Sequence, residues 1–382
     1  MALLWGVFGI DMNVGLDAFV RLMIIVTVMT LVVMFLIYLE RKFVGRIQMR
    51  LGPMRTGPFG TLQSFADAIK LLTKEDLRPS TADGFLFEIA PYITFVPVFM
   101  TLLALPFTES WGVRNLQLGL FYIVAVSGVN TIGFILAGWA SDNKYALLGA
   151  VRAAAQLISY EIPLILAVLS VSMVAGSLNL NDIVLQQHNV PAVVYQPLPF
   201  LILLTAAIAE LGRRPFDIPI GESELVGGPW VEYSGIRWSI IFALGEYAAM
   251  FGLSVLGSLL FFGGWDWPFG HQSGWGLQLA LTAGKTMFMI LVFMWIGATF
   301  PRLRIDQLMA FCWKILLPFA FLQVAANAIV LVYVDDVTAA RAIIGVISGA
   351  LLVAMAMVIY QATKVPSREE RLGAMAAMRS TT

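Results

Sequence analysis

One cysteine, Cys312, and two histidines, His188 and His271, are the only thiol and imidazole groups in 382 residues. By count, neither a four-thiolate iron–sulfur cluster nor a Cys/His zinc site can be built. No G-x-G-x-x-G dinucleotide fingerprint is present either, so the chain is not expected to carry electrons unaided. Charge is scarce as well: Asp, Glu, Lys and Arg make up 13% of the residues against 59% hydrophobic, and the mean hydropathy is +0.84. The alternating short strands and turns of a membrane barrel are missing.

What the sequence does have is long continuous runs of Leu, Ile, Val, Met and Phe. Several exceed the roughly 18 residues that cross a hydrocarbon core as helix. The reading is an all-α polytopic membrane protein, a single integral membrane domain over residues 1–382. Nine spans are expected, at about 18–39, 87–107, 117–139, 157–176, 197–211, 238–262, 277–299, 313–333 and 340–361, to within a few residues. The first is too long for the apolar core of a signal peptide and lacks a small-residue cleavage pattern.

Nine crossings put the termini on opposite sides, and the basic residues test that count. The 40–86 segment, the 140–156, 212–237 and 300–312 loops and the C-terminal tail, with Lys314 just inside the eighth span, hold 20 of the 24 Lys and Arg residues. Arg21, Arg114 and Arg341 fall toward the other side and Lys285 within the seventh span. The positive-inside rule then places the N-terminus outside and the C-terminus in the cytoplasm. The outer loop 263–276, rich in Gly and Trp, suits an interfacial aromatic belt better than a ligand site.

The segment Glu40-Arg-Lys-Phe-Val-Gly-Arg-Ile-Gln-Met-Arg-Leu-Gly-Pro-Met-Arg-Thr-Gly-Pro58 is basic and carries two Gly-Pro turns. Arg41, Lys42 and Arg46 can snorkel to lipid phosphates, and composition favours that anchoring; the fixed turns also suit the wall of a site. Phe59, Leu62, Phe65, Ile69 and Leu72 follow at helical spacing, with Gln63, Asp67, Lys70 and Lys74 opposite, which predicts an amphipathic helix lying on the cytoplasmic surface.

The carboxylates stand out most. Glu161 falls inside the fourth span as Ser159-Tyr160-Glu161-Ile162-Pro163, Glu210 ends the fifth and Glu246 lies in the sixth, with Glu88 and Lys285 also at or near membrane depth. Ionisable groups there cost free energy and so point to ion or proton handling; singly, each could equally pair to hold helices together. The loop after Glu210, Leu211-Gly-Arg-Arg-Pro-Phe-Asp-Ile-Pro-Ile-Gly-Glu-Ser-Glu224, adds Arg213, Arg214, Asp217, Glu222 and Glu224. Carboxylates on three successive helices and their connecting loop form a candidate proton relay, because clustered carboxylates share protons. Arg302, Arg304 and Asp306, in Pro301-Arg-Leu-Arg-Ile-Asp-Gln307, are expected to form ion-paired scaffolding across the same mouth.

Together, these motifs with Val231-Glu-Tyr-Ser-Gly235 resemble the H-subunit family of bacterial NADH:quinone oxidoreductase, respiratory complex I, in order and spacing from about Ala18 to Val332. The resemblance implies a membrane subunit at the junction with the peripheral arm, enclosing much of the quinone channel and coupling quinone chemistry to proton movement. It implies quinone as substrate, FMN and iron–sulfur clusters in partner subunits only, and no metal here. The implied partners are the small membrane-arm subunits, the iron–sulfur and quinone-pocket subunits of the peripheral arm, and the lipid of the inner (plasma) membrane; nucleic acid is not among them. Carried over by motif, Arg41, Arg46, Arg50, Phe59 and Phe65 flank the quinone entrance. Glu210, Asp217, Glu222 and Glu224 line the link from the quinone chamber, and Glu161 and Glu246 continue it. Three departures from the family pattern are Met54 for the usual Asn, the pair Leu211-Gly212, and Ile220 in place of a glutamate, which removes one carboxylate from the implied relay.

Two other readings remain open on sequence. A paralogous component of a membrane-bound hydrogenase or another ferredoxin- or F420-fed redox pump shares this architecture. A secondary transporter would often show internal repeats, and none is found.

Overall fold

A computed structural model describes residues 14–363 apart from 110, 111, 113, 114, 220, 239–243 and 267–273. Among the described residues the chain is helical throughout, with no strand, as expected where only intra-segment hydrogen bonds can satisfy the backbone in lipid. The main helices are α1 Val14–Ile47, α2 Gln63–Thr73, α3 Gly84–Leu102, α4 Gly119–Ala140, α5 Lys144–Ala175, α6 Pro197–Glu210, α7 Leu244–Phe261, α8 Trp275–Thr299, α9 Ile305–Tyr333 and α10 Val337–Thr363. Eight of these are long and apolar enough to cross a membrane.

The fifth expected span, 197–211, forms α6, which has only 14 residues. At 1.5 Å per residue it reaches about 21 Å, short of the roughly 30 Å hydrocarbon core. It is instead enclosed by protein: Leu198, Ile202, Leu203, Ala206 and Ala207 are fully buried, packed against α5, α7, α9 and α10. Its buried start is satisfied by polar side chains. Gln196 Nε2 donates to the Ser170 carbonyl at 3.1 Å and the Leu198 N–H donates to Ser348 Oγ of α10 at 3.2 Å.

Other boundaries move for identifiable reasons. Within the 140–156 stretch, expected as loop, residues 144–156 form the start of α5: Asn143 caps it by accepting the Tyr145 N–H at 2.9 Å, and its alanines favour helix. That helix runs for 32 residues and stops at Gly176, whose φ is 63°. The first span continues to Ile47, so Glu40, Arg41, Lys42 and Arg46 sit on the last turns of a helix and not in a loop. The eighth span starts at Ile305, not 313, and passes through a π turn at Cys312–Leu316. The span at 117–139 is broken at Gly128 into Gly119–Ser127 and Val129–Ala140.

The amphipathic helix α2 is present. Asp67 and Gln63 face inward, where Arg41 Nη1 of α1 meets Asp67 Oδ2 at 2.6 Å and Gln63 Nε2 donates to Asp67 Oδ1 at 3.1 Å. Leu62, Phe65, Ile69 and Leu72 are exposed on the other side. Burial works against the Asp67 charge, but the hydrogen bond and charge of Arg41, with Gln63 and Lys70, outweigh it and hold the carboxyl below its ordinary value.

Candidate functional site

Arg213, three residues beyond α6, is the hub of the site. Its Nη1 lies 2.7 Å from Glu40 Oε2 on α1 and its Nε 3.1 Å from Glu246 Oε1 on α7, while its guanidinium stacks 4.8 Å from the Tyr247 ring centre. Burial disfavours that charge; Glu246 and then Glu40 outweigh it and raise the arginine above its ordinary pKa. Glu246 sits in a π turn at the start of α7, a local widening frequent at functional sites. Around this hub is a polar chamber of about 340 Å³, whose walls include Arg41, Arg50, Arg214, Asp217 and Glu246.

Arg50 is also in the wall of a second, larger cavity of about 600 Å³, formed by Leu39, Phe43, Leu51 and Phe59 with Arg46. This mostly apolar space opens directly beside the polar chamber. An apolar cavity with a few convergent polar groups is what a hydrophobic ring with two carbonyls would fit. Of the residues expected at a quinone entrance, Arg41, Arg46, Arg50 and Phe59 thus line one or both cavities. Phe65 does not: it lies on the outward face of α2, because the α1 contact takes that helix by its polar side.

In the other direction, Glu246 and Gly212 also line a small cavity of about 60 Å³ that includes Glu210 and Asn130. Glu210 and Asn130 in turn line a further cavity of about 50 Å³ with Thr101 and Ser127. The chain of shared walls therefore runs from Arg50 through Glu246 to Glu210, and Glu161 of α5 lies within electrostatic range of Glu210.

The Ser159-Tyr160-Glu161-Ile162-Pro163 motif is anchored by α9. Pro163 lacks the N–H that would bond the Ser159 carbonyl four residues back, and Cys312 Sγ donates to that carbonyl at 3.0 Å. Trp313 Nε1 donates to Ser159 Oγ at 3.3 Å, and the fully buried Tyr160 hydroxyl donates to the Leu308 carbonyl at 3.0 Å. The lone cysteine is thus a packing and hydrogen-bonding residue. Gln156, one turn before, pins the loop: its Nε2 donates to the Ala209 and Phe216 carbonyls at 2.7 and 2.8 Å.

Glu224 stands apart from this series. Its carboxylate meets Arg152 of α5 at 2.7 Å and Arg302 at 4.0 Å. The hydrogen bond and charge of Arg152 hold it below the ordinary glutamate value, with smaller help from Arg302 and Arg304. The Arg304 N–H donates to the Gln307 side chain at 3.3 Å, and Asp306 occupies the exposed first turn of α9. The Glu222 side chain and Ile220 lie outside the described residues, as does His271. The Val-Glu-Tyr-Ser-Gly motif closes the loop. Glu232 accepts from Asn143 Nδ2 at 2.7 Å, Tyr233 stacks on Phe87 at 4.2 Å, and Ser234 Oγ accepts the Leu77 N–H at 3.3 Å.

Four residues at this site were given no role of their own by the sequence: Glu40, Arg152, Gln156 and Asn130. The polar Asn130 in an apolar run and the charged Glu40 at a span's end were the only available signals.

A model of the NADH dehydrogenase family matches residues 20–328. The H subunit of NADH-quinone oxidoreductase from Brevibacillus brevis is 48% identical over 307 residues, 79% of this chain and 89% of that one. Its counterpart in Geobacillus kaustophilus is 51% identical over 292 residues, 76% and 87% of the two chains. That of Dehalococcoides mccartyi is 45% identical over 308 residues, 81% and 85%. The chain belongs to the NADH dehydrogenase family, among the H subunits of NADH-quinone oxidoreductase, the translocase known as complex I.

Proposed function

We propose that this subunit forms much of the quinone channel where the membrane arm meets the peripheral arm, and that its buried carboxylates couple quinone reduction to proton translocation. The carrying observation is the unbroken series of cavities. An apolar cavity shares Arg50 with a polar chamber, the chamber shares Glu246 with a small cavity, and that cavity shares Glu210 and Asn130 with the next. A quinone entering the apolar space places its carbonyls near Arg50 and Arg46, and the charge change on its reduction is felt first by the Glu40–Arg213–Glu246 group. A shift of that group passes to Glu210 and Glu161.

The subunit brings no redox centre to this scheme. Electrons come from iron–sulfur clusters in partner subunits of the peripheral arm, and FMN resides there too; quinone is the substrate. The segregation of basic residues orients the chain in the inner (plasma) membrane with the N-terminus outside and the C-terminus in the cytoplasm.

The test is Glu246→Gln in the assembled complex, reading inhibitor-sensitive NADH:quinone turnover together with proton pumping. Loss of both with intact assembly is the expected result. Full pumping with normal turnover removes Glu246, and with it the link to Glu210, from the coupling route.

A further inference from the structure

Gly128, at the break in α4, has no role in that scheme, yet the break adjoins two of the three half-buried glutamates. At Gly128 the helix ladder loosens: the Gly128 N–H reaches the Val124 carbonyl at a long 3.4 Å, and Ser127 Oγ bonds the same carbonyl at 2.9 Å. The backbone itself stays helical there, with φ −60° and ψ −25°, so Gly128 is not needed for an unusual conformation. What its missing side chain provides is space. A Cβ at this position would lie 2.7 Å from Glu161 Oε1, closer than non-bonded carbon and oxygen approach. The Glu161 carboxylate therefore rests on the bare backbone of α4 at the break.

Two residues on, Asn130 is in the wall of both small cavities beside Glu210. Its Oδ1 is buried, with no hydrogen-bond partner among the described residues. Such an orphan acceptor carries a desolvation cost unless something donates to it. A protonated carboxyl or a water does so, and cavities of about 50 and 60 Å³ each have room for a few waters. The same break thus holds the Glu161 carboxylate with one residue and presents an acceptor beside Glu210 with another.

We propose that the α4 break is the joint through which Glu161 and Glu210 exchange a proton, with Gly128 as the positioning residue for the Glu161 carboxylate and the Asn130 amide as the polar group that keeps the gap hydrated. This rests on the coupling role proposed for those glutamates. The proton leaves one carboxyl oxygen, passes over water held by Asn130, and protonates the other carboxylate; no redox partner is involved.

The experiment uses the whole complex in native membranes and four variants: Glu161→Gln, Gly128→Ala, Gly128→Ala/Glu161→Gln and Gly128→Ala/Glu161→Asp. Quinone-dependent turnover is read across pH, with assembly scored by co-purification. A carboxylate displaced by the order of 1 Å costs roughly tenfold to a hundredfold in a geometry-dependent step, so Gly128→Ala is expected to slow turnover at least about tenfold and to change its pH profile. The Gln double variant should be no slower than Glu161→Gln alone. Aspartate, one methylene shorter, should recover part of the Gly128→Ala loss. If Glu161→Gln slows turnover while Gly128→Ala leaves rate and pH profile untouched, or the two losses add, the positioning role is overturned and the coupling role stands. If Glu161→Gln itself changes nothing, the coupling role of Glu161 falls, and the joint with it. Should Gly128→Ala not assemble, recovery of assembly by Glu161→Asp supports the contact and failure to recover overturns it.

Discussion

Arg213 and Glu40 are 173 positions apart and meet at 2.7 Å. That contact, with Glu246 on the guanidinium's other edge, ties α1 and α7 to the loop between α6 and α7. The arginine side chain is only 10% exposed, so removing it leaves two carboxylates without their cation.

Arg213→Gln is therefore expected to lower the stability of the purified complex, because two carboxylates lose their cation; breaking a buried pair costs about 3–5 kcal/mol, and the partial exposure here places the effect below that. Adding Glu246→Gln should restore part of the loss. Thermal melting of the single and double variants checks the sign, and a double variant no more stable than Arg213→Gln contradicts the pairing.

The acidic loop carries a second prediction. Glu222→Gln with Glu224→Gln should depress quinone-dependent turnover and pumping while assembly survives; normal values in an assembled double variant would remove the loop from the relay. The Arg152 contact adds a pH signature. Because Glu224 titrates below its ordinary value when folded, the pair is fully formed above that ordinary value and is lost as pH falls through the lowered one. Arg152→Ala should move loss of the loop's protection against proteolysis to higher pH.

Gln156→Leu removes two hydrogen bonds to buried carbonyls at once. Each carbonyl keeps a backbone donor, the Gly212 N–H at 3.1 Å on Ala209 and the Ile218 N–H at 2.9 Å on Phe216, so the loss is that of two ordinary hydrogen bonds, about 0.5–1.5 kcal/mol each, and faster hydrogen exchange is expected across residues 207–219. Unchanged exchange there would show that the loop is held by other contacts.

Gly149→Ala contrasts with the Gly128 variant. Its Cβ would meet the Gly228 Cα at 2.5 Å, which is backbone and cannot turn aside. The expected outcome is loss of assembly, with the chain absent from the purified complex; wild-type yield would mean that α5 and the loop can part to admit a methyl group.

Much of the architecture was legible because it follows from the sequence one segment at a time. Apolar runs set the helices, and α2 reads as amphipathic from its spacing alone. Where a segment's own pattern was not enough, the missing information was the neighbour. The α6 run reads as apolar from composition, which does not record what surrounds it; the structure makes it a 14-residue helix enclosed by α5, α7, α9 and α10. Phe65 was expected beside the channel with Phe59; α1 takes α2 by Asp67, so its apolar face, Phe65 included, is turned outward and away from the two cavities. Glu224 looked like a member of one acidic cluster, and Arg152, from a stretch expected to be loop, holds it separately.

By itself the sequence determined that this is a helical membrane protein without the cysteines for a thiolate cluster, with glutamates within or at the ends of its apolar helices, in the pattern of an identifiable family. Only the tertiary structure decided which of those glutamates meet a cation, which line a shared cavity, and that Glu40, Arg152, Gln156, Asn130 and Gly128 belong with them. The physical reason is that hydrophobic burial is non-directional and depends on composition, whereas ion pairs and hydrogen bonds act over about 3 Å. Whether two such groups come that close depends on the order and rotation of whole helices, and no local pattern encodes that.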